Sequence, residues 1–272
     1  MRPKGPAAAV PATHTSPWAS PPAHWRNLSV LVAEDHATYG ALMGWFLQKF
    51  GLCHEVVGDG LAAVAASEFW DFDLVISDCR MPVMNGYAMA QRMRLREQTD
   101  GRRRVPILAL SAELTPDDLQ RGLEAGMDGW LLKPLSAQRL REVLEHWLPG
   151  TPDASIQPAK EVAQAAWPTR AELIETFGDE QVVNRMLHSL LQEANKDYAG
   201  LLAACSTLDR QATVDCLHRL LGSLAFLAGR EPVAFSGRLI ESVREHGIVI
   251  NQEALQQFEQ DVIVYLRYLT DL

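Results

Sequence analysis

Cysteine is scarce in this chain, and its spacing suits neither metal binding nor cross-linking. The four cysteines, Cys53, Cys79, Cys205 and Cys216, form no C-x-x-C pair and are joined by no histidine cluster. That disfavours a structural zinc site and a disulfide framework, and free thiols fit a reducing cytosol. Basic charge is also short. Lys and Arg number 25 against 34 Asp and Glu, a formal charge of −9. Nucleic acid and anionic membrane surfaces both demand a positive field. Arg102-Arg103-Arg104 is the only basic run; it reads as a solvated loop, with partner docking the lesser alternative. No apolar run approaches the roughly 18 residues needed to span a bilayer. The Pro/Ala-rich N-terminus lacks the continuous apolar stretch of a signal peptide. The expectation is a cytoplasmic protein with no nucleic-acid partner and no membrane insertion.

What is present suits two domains. The chain has 272 residues, 47% of them hydrophobic, enough for two separate cores. Prolines crowd residues 1–26, read as a disordered leader, and residues 149–168, read as a linker. Between these, over 27–148, short apolar runs alternate with helical patterns. Strands are predicted at 28–33, 53–58, 72–77, 105–110 and 130–132, and helices at 36–50, 60–69, 86–97, 116–125 and 136–148. Five such units imply an α/β fold, a five-stranded parallel doubly wound sheet of flavodoxin-like type. From 169 to 272 the periodicity is helical throughout, near 169–176, 179–205, 210–228, 231–246 and 251–270, with Gly178 and Gly229 as breaks. That predicts an all-α part, a four-helix bundle with a short leading helix.

The strand ends carry the chemistry. Glu34 and Asp35 end the first strand, Asp78 the third, Ser111 the fourth and Lys133 the fifth. Three carboxylates at one point repel unless a cation holds them. A sparse set of hard oxygen donors suits Mg²⁺, which keeps several waters and completes its shell with phosphate. Lys133 and Ser111 can each meet a phosphoryl oxygen, and phosphoryl transfer needs mainly positioning and charge neutralisation.

Val30-Leu31-Val32-Ala33-Glu34-Asp35, Leu74-Val75-Ile76-Ser77-Asp78-Cys79-Arg80-Met81-Pro82, Ser111-Ala112 and Lys133-Pro134 together resemble a response-regulator receiver domain, over about 28–148. The resemblance implies Asp78 as phosphoacceptor. Glu34, Asp35, Asp78 and the Arg80 backbone carbonyl are the implied Mg²⁺ ligands, and Ser111 is implied to move towards the phosphoryl group. The implied switch aromatic is Trp130, larger than the family's usual Tyr or Phe.

On a helix over 210–228, Leu217, Leu220, Leu224 and Leu227 form a core stripe with Val214 at its margin. Gln211, Asp215, His218, Gly222, Ala225 and Gly229 form another, roughly opposite. Glycine inside a helix costs about 1 kcal/mol relative to alanine, so a bare stripe beside a histidine suggests close approach of another backbone. A neutral imidazole is available near pH 7. His218-x-x-x-Gly222-Ser223 resembles the core of a histidine-containing phosphotransfer (HPt) domain, over about 169–270. The resemblance implies phosphorylation of His218. The family usually has lysine where this chain has Leu221, which is expected either to slow transfer or to make it lean on the partner's own lysine; Arg219 could partly substitute, and Leu221 with Phe226 could instead form an apolar docking collar.

The order receiver, linker, HPt is similar to the tail of unorthodox hybrid sensor kinases of the BvgS/EvgS type. The implied function is a phosphorelay intermediate without an ATP-binding domain, charged on Asp78 by a sensor histidine kinase and serving a downstream response-regulator receiver through His218. It would be either a separate protein or a fragment of a longer one, Met1 favouring the former. The alternatives are a response regulator whose helical part is an unphosphorylated interaction module, and a phosphate sink draining a kinase by hydrolysis at Asp78.

Overall fold

The structure, a computed structural model, describes residues 20–112, 115–133, 135–148, 167–177, 179–228 and 230–272, except the side chains at 225–226, 228 and 230–237. The expected leader up to residue 19, the expected linker over 149–166, and Pro134, Gly178, Gly229 and the Phe226 side chain lie outside that description.

Five runs form a parallel sheet: β1 Ser29–Ala33, β2 Cys53–Val57, β3 Leu74–Asp78, β4 Ile107–Ser111 and β5 Gly129–Leu132. Their order is β2-β1-β3-β4-β5. β1, β3 and β4 lie inside the sheet with both faces covered, which is why they read as continuous apolar runs. The edge strand β2, Cys-His-Glu-Val-Val, is largely exposed or half-exposed. The intervening helices are α1 Ala37–Lys49, α2 Gly60–Phe69, α3 Gly86–Asp100, α4 Pro116–Ala125 and α5 Ala137–Trp147. Asp59, Asn85, Thr115 and Ser136 cap α2 to α5 by accepting a backbone N–H of the first turn. α3 runs past the expected residue 97 to Asp100 and stops at Gly101 in the left-handed region, φ 62°.

The helical half comprises α6 Arg170–Phe177, α7 Glu180–Ser206, α8 Arg210–Ala228, α9 Arg230–His246 and α10 Gln252–Asp271. α7 packs on α8 and α10, and α8 on α9. Among the described residues no helix is long and apolar enough to cross a membrane. Arg102, Arg103 and Arg104 lie in an exposed loop as expected, beside Asp71, Asp73 and Asp128 respectively.

Two features depart from the sequence reading. Inside the expected leader, Ala23–Asn27 forms a 3-10 turn. Trp25 within it is fully buried and meets Phe50 edge-on, with 6.1 Å between ring centroids. An apolar residue of that size at a segment's end finds core more readily than its proline-rich neighbours do. The second departure is that the two halves share a core. One cluster of buried residues runs from the α1 and α5 side of the sheet into α6, α7, α8, α9 and α10; the smaller cluster under α2, α3 and α4 stays within the receiver-like half. The join is α1, whose Phe46 stacks on Phe177 of α6 at 5.9 Å. A helix covered on two sides must be apolar nearly all round, and the Ala-Leu-Met-Gly-Trp-Phe-Leu run of α1 is.

Candidate functional site

β1, β3, β4 and β5 deliver Glu34, Asp35, Asp78, Ser111 and Lys133 to one cavity of about 50 Å³ at their carboxyl ends, with Arg80 on its rim. Lys133 Nζ lies 2.5 Å from Asp78 Oδ2 and 2.7 Å from Glu34 Oε2. Asp78 Oδ1 accepts the Arg80 N–H at 2.7 Å. Tyr39 holds the lysine loop twice. Its ring lies 4.8 Å below Lys133 Nζ, and its hydroxyl accepts the Leu135 N–H at 2.9 Å. Gly86 begins α3 directly against the Asp78 carbonyl, closer than any side chain would allow.

The electrostatics of this group are unbalanced. Burial, then the neighbouring Asp78 and Asp35 charges, push Glu34 up to about 8 despite Lys133. Burial and Asp78 push Asp35 up to about 7. Burial alone would also raise Asp78, but Lys133, His218 and the Arg80 N–H hold it below the usual carboxylate range. Lys133 is held above its ordinary value because Asp78 and Glu34 outweigh its burial. A buried cluster with three carboxylates and one ammonium is short of positive charge, and a divalent cation would supply it.

The cavity's opposite wall belongs to α8, which contributes His218, Arg219, Leu221 and Gly222. Ligand-type atoms of Asp35, Asp78 and His218 all lie within 4.8 Å of one another. The Arg80 backbone beside the His218 ring favours its protonated form. Burial, the largest influence, nevertheless lowers the pKa of His218. Arg219 Nε donates to Asp197 Oδ1 at 2.7 Å, and its charge reaches Asp35. Leu221 is buried in the shared core and closes the cavity as an apolar wall. Of the expected stripe on α8, His218 and Gly222 face this chain's own receiver-like half, Gln211 and Asp215 are exposed, and the Ala225 side chain and Gly229 lie outside the description. A methyl on Gly222 would rest 3.6 Å from His36 Cδ2, an ordinary contact, so this arrangement does not itself demand glycine.

Glu34 lines the cavity, but its carboxylate is committed to Lys133 rather than to the Asp35–Asp78–His218 cluster. Trp130 lies away from the cavity. Its indole packs over α4, where a methyl on Gly122 would come within 3.1 Å of Nε1, and that buried N–H has no hydrogen-bond partner among the described residues.

The sequence reading missed a polar seam beside the cavity. His36 Nε2 shares a 2.7 Å hydrogen bond with Ser223 Oγ of α8, and its Nδ1 lies 3.1 Å from Glu193 Oε2 of α7. Thr38 Oγ1 donates to Glu193 Oε1 at 2.7 Å and lies 2.8 Å from Ser189 Oγ. Burial, with Lys133, pushes His36 down to about 4, so its ring is neutral at pH 7. The signal available in the sequence was a polar pair, His36 and Thr38, opening a helix otherwise apolar on every side.

Residues 30–145 match the family model described as the response regulator receiver domain. This part of the chain is a receiver domain. Beyond it, the virulence sensor protein BvgS of Bordetella bronchiseptica is 32% identical over 226 residues, covering 80% of this chain and 18% of BvgS. That alignment is longer than the receiver and extends into the helical region. The sensor protein EvgS of Escherichia coli K12 is 27% identical over 248 residues, covering 84% of this chain and 19% of EvgS. The sensor protein GacS of Pseudomonas syringae is 27% identical over 252 residues, covering 89% of this chain and 27% of GacS. The chain therefore spans about a fifth to a quarter of the length of these relatives. A magnesium-bound receiver domain from a Pseudomonas aeruginosa sensor histidine kinase is 32% identical, covers 44% of this chain and 97% of its own, and has a TM-score of 0.41. The chain is thus a receiver domain followed by a helical region, related to hybrid sensor proteins of two-component signalling.

Proposed function

We propose that this chain is a cytoplasmic phosphorelay intermediate that accepts a phosphoryl group on Asp78 and passes it to His218, its helical half acting as an HPt domain. The observation that carries this is the shared cavity: carboxylate oxygen and imidazole nitrogen face one another across a space that one phosphoryl group would fill. A sensor histidine kinase would be the donor and a downstream receiver the acceptor. In the first step an Asp78 oxygen attacks phosphorus, and the donor's P–N bond breaks. In the second, the lone pair of neutral His218 attacks phosphorus, and the P–O electron pair returns to the Asp78 carboxylate. Lys133 neutralises both the carboxylate and a phosphoryl oxygen, and the Arg80 carbonyl takes up the growing positive charge at the ring N–H. Ser111 would donate to another phosphoryl oxygen, and Trp130 would report its movement. Arg219, braced by Asp197, would supply on α8 the cation that Leu221 does not.

The donor set fits Mg²⁺, with Asp35, Asp78 and the Arg80 carbonyl holding it and Glu34 acting through Lys133. When bound, Mg²⁺ supplies the charge that phosphoryl oxygens need.

The test charges the full chain with a small phosphodonor and Mg²⁺. The wild type should accumulate acid-labile, base-stable label, His218→Gln should hold base-labile label only, and Asp78→Ala none. Identical label in wild type and His218→Gln, with onward transfer intact, would leave the helical half as an interaction module.

A further inference from the structure

The relay needs the His218 lone pair as a nucleophile, and the same lone pair has a second use. We infer that Asp35, Asp78 and His218 form, in the docked chain, a two-oxygen, one-nitrogen site for a first-row transition ion such as Zn²⁺, and that this ion ties α8 to the receiver. The silencing of transfer that follows rests on the proposed relay; the binding itself does not.

Four observations converge. The three candidate ligand atoms come from both halves and lie within 4.8 Å of one another. Metal–ligand bonds of about 2.0–2.2 Å place ligand atoms roughly 3–4 Å apart, so side-chain rotations of a fraction of an ångström complete the site. The Arg80 backbone lies beside the ring and favours its proton. Metal-ligating histidines usually have such an outer partner for their second ring nitrogen. The cavity, about 50 Å³, accommodates an ion with a water, whose share of liquid volume is about 30 Å³. Last, among the described residues Lys133 alone ion-pairs with Glu34 and Asp78, and Arg219, whose charge reaches Asp35, is matched by Asp197, so a dication balances the charge.

The nitrogen decides which ion. Mg²⁺ prefers oxygen and keeps its waters, and it leaves imidazole alone. Zn²⁺, Co²⁺ and Ni²⁺ favour imidazole. Mg²⁺ would therefore leave His218 free to attack phosphorus, whereas Zn²⁺ would occupy the lone pair. The two ions compete for Asp35 and Asp78 with opposite consequences.

The test is calorimetric titration of the full chain with Zn²⁺ and separately with Mg²⁺, without phosphodonor. Relative to wild type, His218→Gln should weaken Zn²⁺ binding on the order of 10- to 100-fold and leave Mg²⁺ binding unchanged. Asp35→Asn should weaken both, and the exposed-helix control His188→Gln neither. Bound Co²⁺ should show an imidazole-dependent visible spectrum that disappears in His218→Gln. Equal Zn²⁺ affinity in wild type and His218→Gln overturns the inference, as does Zn²⁺ binding lost only in Asp35→Asn. In a second arm, Zn²⁺ is added to chain charged on Asp78 and should stop label reaching His218. If no label reaches His218 even without Zn²⁺, the relay reading fails while the calorimetry still judges the site.

Discussion

The receiver's wall of the cavity draws Glu34, Asp35, Asp78, Ser111 and Lys133 from the ends of four strands, whereas the opposite wall is one stretch of α8, His218 to Gly222. The first wall is held mainly from within: Lys133 pairs with Glu34 and Asp78, and Asp78 accepts the Arg80 N–H, while from the helical half only the charges of His218 and Arg219 act on Asp78 and Asp35. The second borrows its environment: after burial, the groups that act on the His218 ring are Asp78, Lys133 and Arg80, all of the receiver. Chemistry held by a sheet is built in by folding. Chemistry presented on a helix face is made by docking.

Substitutions on the two walls should therefore behave differently. Lys133→Ala leaves Glu34 and Asp78 buried without their cation and should cost about 3–5 kcal/mol in a urea melt, partly recovered by Mg²⁺. Arg219→Ala removes the partly exposed partner of buried Asp197 on the other wall and should cost less, about 1–2 kcal/mol. Similar losses at both positions would break the contrast.

The receiver wall should also dominate the pH dependence of the metal-free chain. Glu34 and Asp35 have folded pKa values raised to about 8 and about 7. The native state thus binds more protons than the unfolded state, and stability falls as pH rises through that range. His36 and His218, with lowered pKa values, act in the opposite sense, chiefly below their ordinary value of 6.5 and fading within about a unit above it. Between about pH 6.5 and 8 the loss should be roughly 2 kcal/mol, and Mg²⁺ should abolish it. A flat profile in thermal melts across that interval would mean the carboxylates are not held as described.

The docked wall is sharpened by Thr38→Val, which removes a donor to Glu193 and should cost about 1–3 kcal/mol. Its diagnostic readout is faster modification of His218 by diethylpyrocarbonate, with Thr38→Ser restoring the slow rate. Smallest of all, Gly222→Ala should stabilise α8 by up to about 1 kcal/mol without exposing His218. Undocking by that single methyl would show the approach to be tighter than 3.6 Å.

The five strands, their parallel order and the meeting of the strand-end residues were legible in the sequence, because each buried strand is a short apolar run ending in a polar residue. His218 stood out through Gly222, four residues on. The seam was not legible. His36, Thr38, Ser189 and Glu193 belong to helices far apart in the chain, and each alone is an ordinary polar residue near a helix end. Trp25 was hidden among prolines whose composition spoke for the whole segment. The separation into two independent cores also misled, since α1 carries apolar side chains on two faces and periodicity cannot say what covers the second.

That double duty of α1 has a kinetic meaning. A helix covalently tied to its own acceptor meets it at an effective concentration of about millimolar, so any external protein seeking Asp78 or His218 competes with a resident that never diffuses away. On the proposed relay, the traffic of such a molecule with its partners would be limited by how often it lets go of itself.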